Sequence, residues 1–342
     1  MKIEGSVNKD QLDELDLQII NALQIEPRVP WTALAKVIGT DAVTLARRWE
    51  RISSRGLAWI SAVHEGNTPH CIALVEIQCE SGLALKTAAE ASLDPAIYSI
   101  DLTSGFRDIV MTLFARNEED LAEYILVKLG TLPAVRLIRT HIVNVRVKTG
   151  EQWTLRALTA RQMDQIPRYR PPRAGAAKVV PQETMSRVVV ALERNARASN
   201  VELSEALGMS PQRVADAIAT MRQQGNLDLR VDIAQPYSNW PTVLWYFIQA
   251  PSSSISAAHQ TLAGMPEVQF ACVCTGQWNL IVAMSARSGA DAPRLEAELE
   301  KRLPNATIMD RSMVIRVFKH LGHLLDGAGR ATGEFVSLVE ER

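Results

Sequence analysis

Long apolar runs, zinc-type cysteine pairs and an excess of charge of either sign are all missing from this 342-residue chain. Without a run of about 18 or more apolar residues, no transmembrane helix is expected. The polar start, Met1 to Ser6, lacks the apolar core of an export signal, so the expected location is the cytoplasm. The four cysteines (Cys71, Cys79, Cys272 and Cys274) sit on strand-like runs without metal-ligand spacing and read as small buried hydrophobes in a reducing compartment. A net charge of −1 argues against a protein that coats nucleic acid indiscriminately, while leaving room for a local basic face. No Ser/His/Asp grouping, metal cluster or phosphate-cradling glycine loop is evident. The expectation is therefore no metal, no cofactor and no enzymatic activity. The apolar and charged fractions, 47% and 22%, are ordinary for a soluble folded chain.

What the chain does have is itself, twice. A shift of 169 positions places Leu23 on Leu192, Arg28 on Arg197, Leu34 on Leu203, Gly39 on Gly208 and Gly56 on Gly225. Further on, a shift of 171 places Gly105 on Gly276, Pro133 on Pro304 and Val143 on Val314. A constant offset through whole segments marks a tandem repeat and decides architecture before local detail does. The expected fold class is α+β: a winged helix-turn-helix plus a ferredoxin-like αβ sandwich, repeated in one chain. The expected domains are a first head over 10–62, a first body over 70–148, a linker over 149–182, a second head over 183–234 and a second body over 241–320.

In the first head Leu12, Leu15, Ile19, Ala22 and Leu23 recur at helical spacing, with Asp13, Glu14 and Asp16 at the end where the helix dipole favours acids. Leu34, Ala35, Val37 and Ile38 make a second short helix. Gly39 suits the left-handed turn that follows, and Asp41 can cap the third helix. On that third helix Leu45, Trp49 and Ile52 face inward, while Arg47, Arg51 and Arg55 form a row with Arg48 beside them. Two helices joined by a short glycine turn, the second bearing arginines, is a layout that enters a DNA major groove. A guanidinium can bond two acceptors on guanine or clamp a phosphate. The candidate DNA contacts are Asp41, Ala42, Thr44, Arg47, Arg48 and Arg51.

These features (Leu12-Asp13, Asp16, Ile19, Leu23, Arg28, Leu34-Ala35, Gly39, Arg47-Arg48, Ile52 and Gly56) resemble the N-terminal helix-turn-helix of the leucine-responsive regulatory protein/AsnC family of transcription regulators. Pro30 and Asp41 stand where that family commonly has serine, and Glu50 where a basic residue is usual. The resemblance implies double-stranded DNA as a partner, self-association into a homo-oligomer, and a body that binds an amino acid or similar small effector.

Each body reads strand, helix, strand, strand, helix, strand, the order of a ferredoxin-like unit. Ser104-Gly105-Phe106-Arg107-Asp108 resembles the family's T-G-x-x-D hairpin, which implies an effector site at Ser104, Gly105, Phe106 and Asp108, with Asp108 pairing an ammonium. The second hairpin supplies Thr275, Gly276, Trp278 and Asn279, the amide replacing the acid.

In the second head the 169 shift turns Arg47 into Asp216, Arg48 into Ala217 and Arg51 into Thr220, leaving Arg213 and Arg222 as its basic residues. Arg213 is its candidate DNA contact. Between the copies, prolines among Arg168, Arg170, Arg173 and Lys178 suggest an extended, solvated connector after a helix-compatible stretch from Trp153 to Gln165. The stretch Asp326 to Arg330 reads as flexible. Siroheme decarboxylases resemble the same architecture and give the alternative function. Their pattern places histidine, asparagine and tyrosine around the second body strand, where this chain has Tyr98-Ser99-Ile100 and Phe270-Ala271-Cys272, with Trp278-Asn279-Leu280 the nearest echo.

Overall fold

The computed structural model describes residues 11–63 and 71–338. Met1 to Ser6 and positions 10 and 70, the starts of the first two expected domains, lie outside the described residues.

The first head consists of α1 (Glu14–Ile25), α2 (Trp31–Ile38), α3 (Ala42–Ser54) and the wing β1 (Ala58–Val63). Asp13 and Asp16 form a reciprocal capping box that starts α1. Gly39, at φ 83°, ends α2, and Asp41 caps α3 by accepting from the Thr44 amide at 2.8 Å. Ile19, Leu23, Leu34, Leu45 and Ile52 are fully buried among these helices. The first body follows as β2 (Cys71–Cys79), α4 (Ala84–Ser92), β3 (Ile97–Thr103), β4 (Ile109–Ala115), α5 (Glu118–Glu123) and β5 (Val135–Lys148). After a connector containing α6 (Ala160–Gln165), the second head is α7 (Gln182–Arg194), α8 (Asn200–Leu207), α9 (Pro211–Gln223) and β6 (Asp228–Ile233). The second body is β7 (Thr242–Gln249), α10 (Ser252–Ala263), β8 (Val268–Thr275), β9 (Leu280–Ala286), α11 (Ala292–Arg302) and β10 (Thr307–His320), and a hairpin of β11 (His323–Leu325) and β12 (Ala331–Phe335) is appended.

The two bodies close on each other. Within the first, the strands lie in the order β3-β4-β2-β5; within the second, β8-β9-β7-β10. The 14-residue strands β5 and β10 then leave their own sheets. The first half of β5 pairs with β2 and its second half with β8. The first half of β10 pairs with β7 and its second half with β3. Eight strands thus form a closed ring, which removes the open edges that would otherwise invite aggregation. Helices α4 and α5 cover one apolar layer built on Val75, Ile100 and Met111; α10 and α11 cover the matching layer built on Tyr246, Val268 and Val282. Inside the ring, Leu74, Val110, Trp245, Phe247, Cys272 and Ile281 make the layer shared by the two sheets. All four cysteines are free thiols, and Cys79, Cys272 and Cys274 are buried.

The heads are also fused. Wings β1 and β6 pair antiparallel from Ala58↔Ile233 to Val63↔Asp228. Leu23, Ile52, Leu192, Val214 and Met221 share one apolar cluster. A reciprocal clamp locks them: Arg28 donates to the Ala196 and Ala198 carbonyls at 2.6 and 2.8 Å, while Arg197 donates to the Pro27 and Val29 carbonyls. The four carbonyls correspond under the 169 shift. Burial, followed by repulsion from Arg28, pushes the Arg197 guanidinium down to about 10.

Two expectations about connecting segments are corrected. The linker is not a solvated strap. Trp153, Leu155, Leu158, Ile166 and Val180 are buried in the cluster shared by the heads. Its backbone is pinned to α1, with the Ala157 and Leu158 amides donating to Asn21 Oδ1 at 2.9 and 3.0 Å and the Leu155 amide to Gln24 Oε1 at 2.9 Å. Those bonds, and Arg156 at φ 59°, confine the helix expected from Trp153 to the six residues of α6. Residues Asp326 to Arg330, expected to be flexible, form an ordered turn: Asp326 Oδ1 accepts from the Ala328 and Arg330 amides at 2.9 Å each, and Oδ2 accepts from the Arg330 side chain.

Arg28→Ala and Arg197→Ala should each destabilise the chain by about 1–3 kcal/mol, because each strands two carbonyls at the junction of the heads. Denaturant unfolding monitored by circular dichroism checks this; a loss confined to one of the two would show that the clamp is not shared equally.

Candidate nucleic-acid interface

Helix α3 begins at the Asp41 cap and carries Leu45, Trp49 and Ile52 into the core, which fixes the faces left outside. Arg47 is exposed, and among the described residues it has no ion-pair partner. Val43, one turn earlier on the same ridge, is 77% exposed. This pair, rather than an arginine row, forms the outward edge of the helix. Arg48 and Arg51 turn the other way. Arg48 Nη1 meets Asp13 Oδ2 at 2.6 Å and Asp16 Oδ1 at 2.9 Å, and Arg51 Nη2 meets Asp16 Oδ2 at 2.5 Å. Asp16 is 1% exposed, so its charge requires these partners. The expectation that Arg48 and Arg51 share the groove-facing role of Arg47 is therefore corrected: they hold α3 to α1. Asp41 and Thr44 likewise serve the cap. The acids near the start of α1 pointed to the helix dipole, which concealed their second use as arginine partners.

Helix α9 presents a different surface. Arg213 and Gln212 are exposed on its first turn. Asp216, at the position of Arg47, is held by Arg173 of the connector, Nη2 to Oδ2 at 2.7 Å and Nε to Oδ1 at 3.1 Å. One and two turns on, Thr220 Oγ1 donates to the Ala177 carbonyl at 3.3 Å and Gln224 Nε2 to the Lys178 carbonyl at 2.6 Å. The connector thus lies along one side of the second recognition helix. Arg222 is also committed, bidentate to Glu26 at 2.8 and 3.0 Å and stacked over Tyr169.

The hairpins expected to hold an effector are occupied with joining the bodies. The Ser104 amide donates to the Met313 carbonyl at 2.9 Å, and Ser104 Oγ accepts from the Met313 amide at 3.0 Å. Thr275 Oγ1 donates to Asn144 Oδ1 at 2.9 Å. Gly276 sits so close to β5 that a Cβ there would come within 2.4 Å of His141 Nδ1. Gly105 lies over the equivalent place on β10, beside Arg311 and Ser312. Phe106 is exposed at the tip, under the Arg139 guanidinium. Asp108 does not offer an unengaged carboxylate: Oδ2 accepts from the Cys79 amide at 2.7 Å. Asn279 does the same work one repeat later, accepting from the Ala250 amide at 2.9 Å and donating to its carbonyl at 2.8 Å. Acid and amide differ in charge yet perform one backbone task, which is the physical reason the exchange is tolerated.

Arg107, between those positions, went unnoticed in the sequence. It is buried, donates to Glu76, to Asp310 Oδ2 at 2.6 Å and to Ser312 Oγ at 2.5 Å, and stacks on Phe247 with its centre 3.7 Å from the ring centroid. Burial alone would raise the Glu76 carboxyl, but His141 and Arg107 hold it below the ordinary value. Glu76, the lone charged residue of β2, was the available signal. Among the described residues no group of three or more His, Cys, Asp or Glu side chains is placed to hold a metal ion, and no helix is long and apolar enough to cross a membrane.

Two winged helix-turn-helix heads thus sit on a closed pair of ferredoxin-like bodies. Residues 12–52 match the AsnC-type helix-turn-helix domain and residues 182–225 a winged helix-turn-helix DNA-binding domain. An uncharacterized helix-turn-helix-type transcriptional regulator of Pyrococcus abyssi is 25% identical over 147 residues, 42% of this chain and 92% of that protein. The helix-turn-helix-type transcriptional regulator FL11 of Pyrococcus horikoshii is 26% identical over 146 residues, 42% of this chain and 94% of the relative. The crystal structure of the siroheme decarboxylase NirDL covers 90% of this chain and 93% of its own, with a TM-score of 0.56 and 15% identity, a likeness of fold. The chain thus carries an AsnC-type helix-turn-helix domain, has homologues among the leucine-responsive/AsnC-family regulators, and is about twice their length, with two helix-turn-helix domains.

Arg47→Ala should cost about 1–3 kcal/mol of operator affinity if the side chain reads a base, or lower the salt slope by about 1 if it meets a phosphate. Arg48→Ala with Arg51→Ala should instead lower folding stability by about 1.5–3 kcal/mol by removing the charged donors to Asp16. Fluorescence anisotropy over a salt series, beside thermal unfolding, separates the two classes.

Proposed function

We propose that the chain regulates transcription by sequence-specific contact of the first head with double-stranded DNA, that a small metabolite bound in the body region alters that contact, and that it catalyses no reaction. The observation that carries the DNA reading is the difference between the recognition helices: α3 presents Arg47 and Val43 to solvent, whereas α9 has Asp216 at the matching place and the connector along its side. An arginine beside an apolar side chain is a pairing suited to guanine and to the thymine methyl group in the major groove. Self-association belongs to the same proposal. Ile142 and Val145 on β5 and Met313 on β10 are exposed apolar positions, and apolar surface of this kind marks contact with a protein partner. A homo-oligomer of the double-length chain accounts for it.

The runner-up, a siroheme decarboxylase, is favoured by the fold likeness that spans most of the chain. Against it, the strand positions where histidine is expected carry Tyr98, Ser99 and Phe270. The histidine closest to them across the sheet, His320, is paired with Asp232 at 3.3 Å.

Selection of bound fragments from a genomic pool should enrich a discrete sequence with the wild-type chain and lose it with Arg47→Ala, while light scattering reports a species larger than one chain. Incubation with siroheme should yield no decarboxylated product by mass spectrometry. Turnover of siroheme without DNA enrichment would reverse the order of the two readings.

A further inference from the structure

A cavity of about 800 Å³ lies where the heads meet the bodies, walled by β6, β3, β4, β7, β8 and β10 together with the end of α1 and the start of the connector. It is separate from both hairpins, none of whose residues line it. Its volume lies within the range of small-molecule sites.

Its wall combines three kinds of group. Two aromatic pairs face it: Tyr98 stacked on Phe114 with centroids 3.9 Å apart, and Trp245 edge-on to Phe270 at 6.1 Å. Between them stands Asp101, whose Oδ2 accepts from Trp245 Nε1 at 2.9 Å. Burial pushes that carboxyl up to about 6, against the opposing pull of the Trp245 bond and the charge of His320. On the strand paired with it, Arg316 gives one bond, Nη2 to the Leu325 carbonyl at 3.3 Å, while its buried Nε has no partner among the described residues. Of the other charges at this wall, Arg222 pairs with Glu26, Arg230 with Asp228 and Glu151, and His320 with Asp232, and Arg146 lines it too. A buried donor left unmade costs about 1–3 kcal/mol, so the unmet Arg316 N–H and the Asp101 carboxylate, both lining this cavity, suit a ligand supplying both an acceptor and a cation.

We propose that this cavity binds an aromatic amino acid or a closely similar aromatic zwitterion, with its ammonium group on Asp101, its carboxylate on Arg316 and its ring against the Trp245–Phe270 and Tyr98–Phe114 pairs. A zwitterion satisfies both charged groups without adding net charge to the site. The aromatic pairs favour a flat apolar side chain over a branched one. Both heads and both bodies wall the cavity, so occupancy touches the joint between DNA-binding and closed-sheet parts. That consequence rests on the reading of the chain as a metabolite-responsive regulator; the binding site itself does not.

The test is calorimetry on the full chain with L-tryptophan, L-phenylalanine, L-leucine, indole-3-acetate and tryptamine. The aromatic amino acids should bind at least tenfold tighter than leucine. Asp101→Asn, which keeps the acceptor for Trp245, should weaken tryptophan and tryptamine at least tenfold and leave indole-3-acetate within about twofold. Arg316→Gln should weaken tryptophan and indole-3-acetate and spare tryptamine. No binding by any of the five, equal affinity for leucine, or unaltered affinities in both variants overturns the proposal. So does loss of binding in Phe106→Ala alone, which would seat the ligand at the hairpin and leave the effector reading standing. Cavity binding with unchanged DNA affinity would retain the site and refute the coupling.

Discussion

The whole arrangement depends on two strands that each serve two sheets. At roughly 3.3 Å per residue, a 14-residue strand reaches about 46 Å, enough to complete one four-stranded sheet and begin the next. Neither body can satisfy its own edges: β3 needs the second half of β10, and β8 needs the second half of β5. Closure therefore binds the copies to each other more firmly than side-chain packing alone. It also brings both heads to one side, where the wings pair and the arginine clamp closes. In a tandem chain this pairing is intramolecular, so it does not depend on protein concentration.

Intramolecular pairing releases the copies from having to match. A symmetric dimer must place the same residue at both related positions, whereas here the 171 shift relates Glu76 to Phe247, Arg107 to Trp278 and His141 to Ser312. The outcome is one buried ionic cluster around Arg107, stacked on the ring that replaces the second copy's acid. Positions that do geometry stay alike. Arg28 and Arg197 bond equivalent carbonyls, and Asp108 and Asn279 bond equivalent amides. Charge thus diverges at the ionic cluster, while side chains that place backbone keep the ability to make the same bonds even where, as at Asp108 and Asn279, the residue changes.

Much of this was legible in the sequence because it is local or repeated. The constant offsets exposed the duplication; helical spacing, Gly39 and Asp41 placed α1 to α3; β-branched runs placed the strands. What was hidden depends on partners far along the chain. Asp13 and Asp16 look the same in sequence whether they serve a helix dipole or an arginine 32 to 35 residues away. The prolines of the connector mark an irregular backbone, and nothing local shows that Trp153 and Leu158 will be buried against α1. Asp108 and Asn279 read as ligand groups since a polar side chain at a turn is commonly solvated, while their bonds to Cys79 and Ala250 span 29 residues. Strand exchange itself has no sequence signal beyond the unusual length of β5 and β10.

The fused heads bear on what a cognate DNA site would look like. Symmetric helix-turn-helix dimers read palindromes because identical recognition helices lie about one helical turn apart. In this chain the wings and the Arg28–Arg197 clamp fix two recognition helices relative to each other, but the helices differ in what they offer. Helix α3 leads with Val43 and Arg47, and α9 with Gln212, Arg213 and an Asp216 already bound to the connector. An arginine and an acid at corresponding places cannot favour the same base edge, since one donates and the other accepts. A single chain therefore has no reason to prefer a palindrome. Twofold symmetry in its operator would have to come from a second chain, meeting the first through surfaces such as the exposed apolar positions of β5 or those of β10.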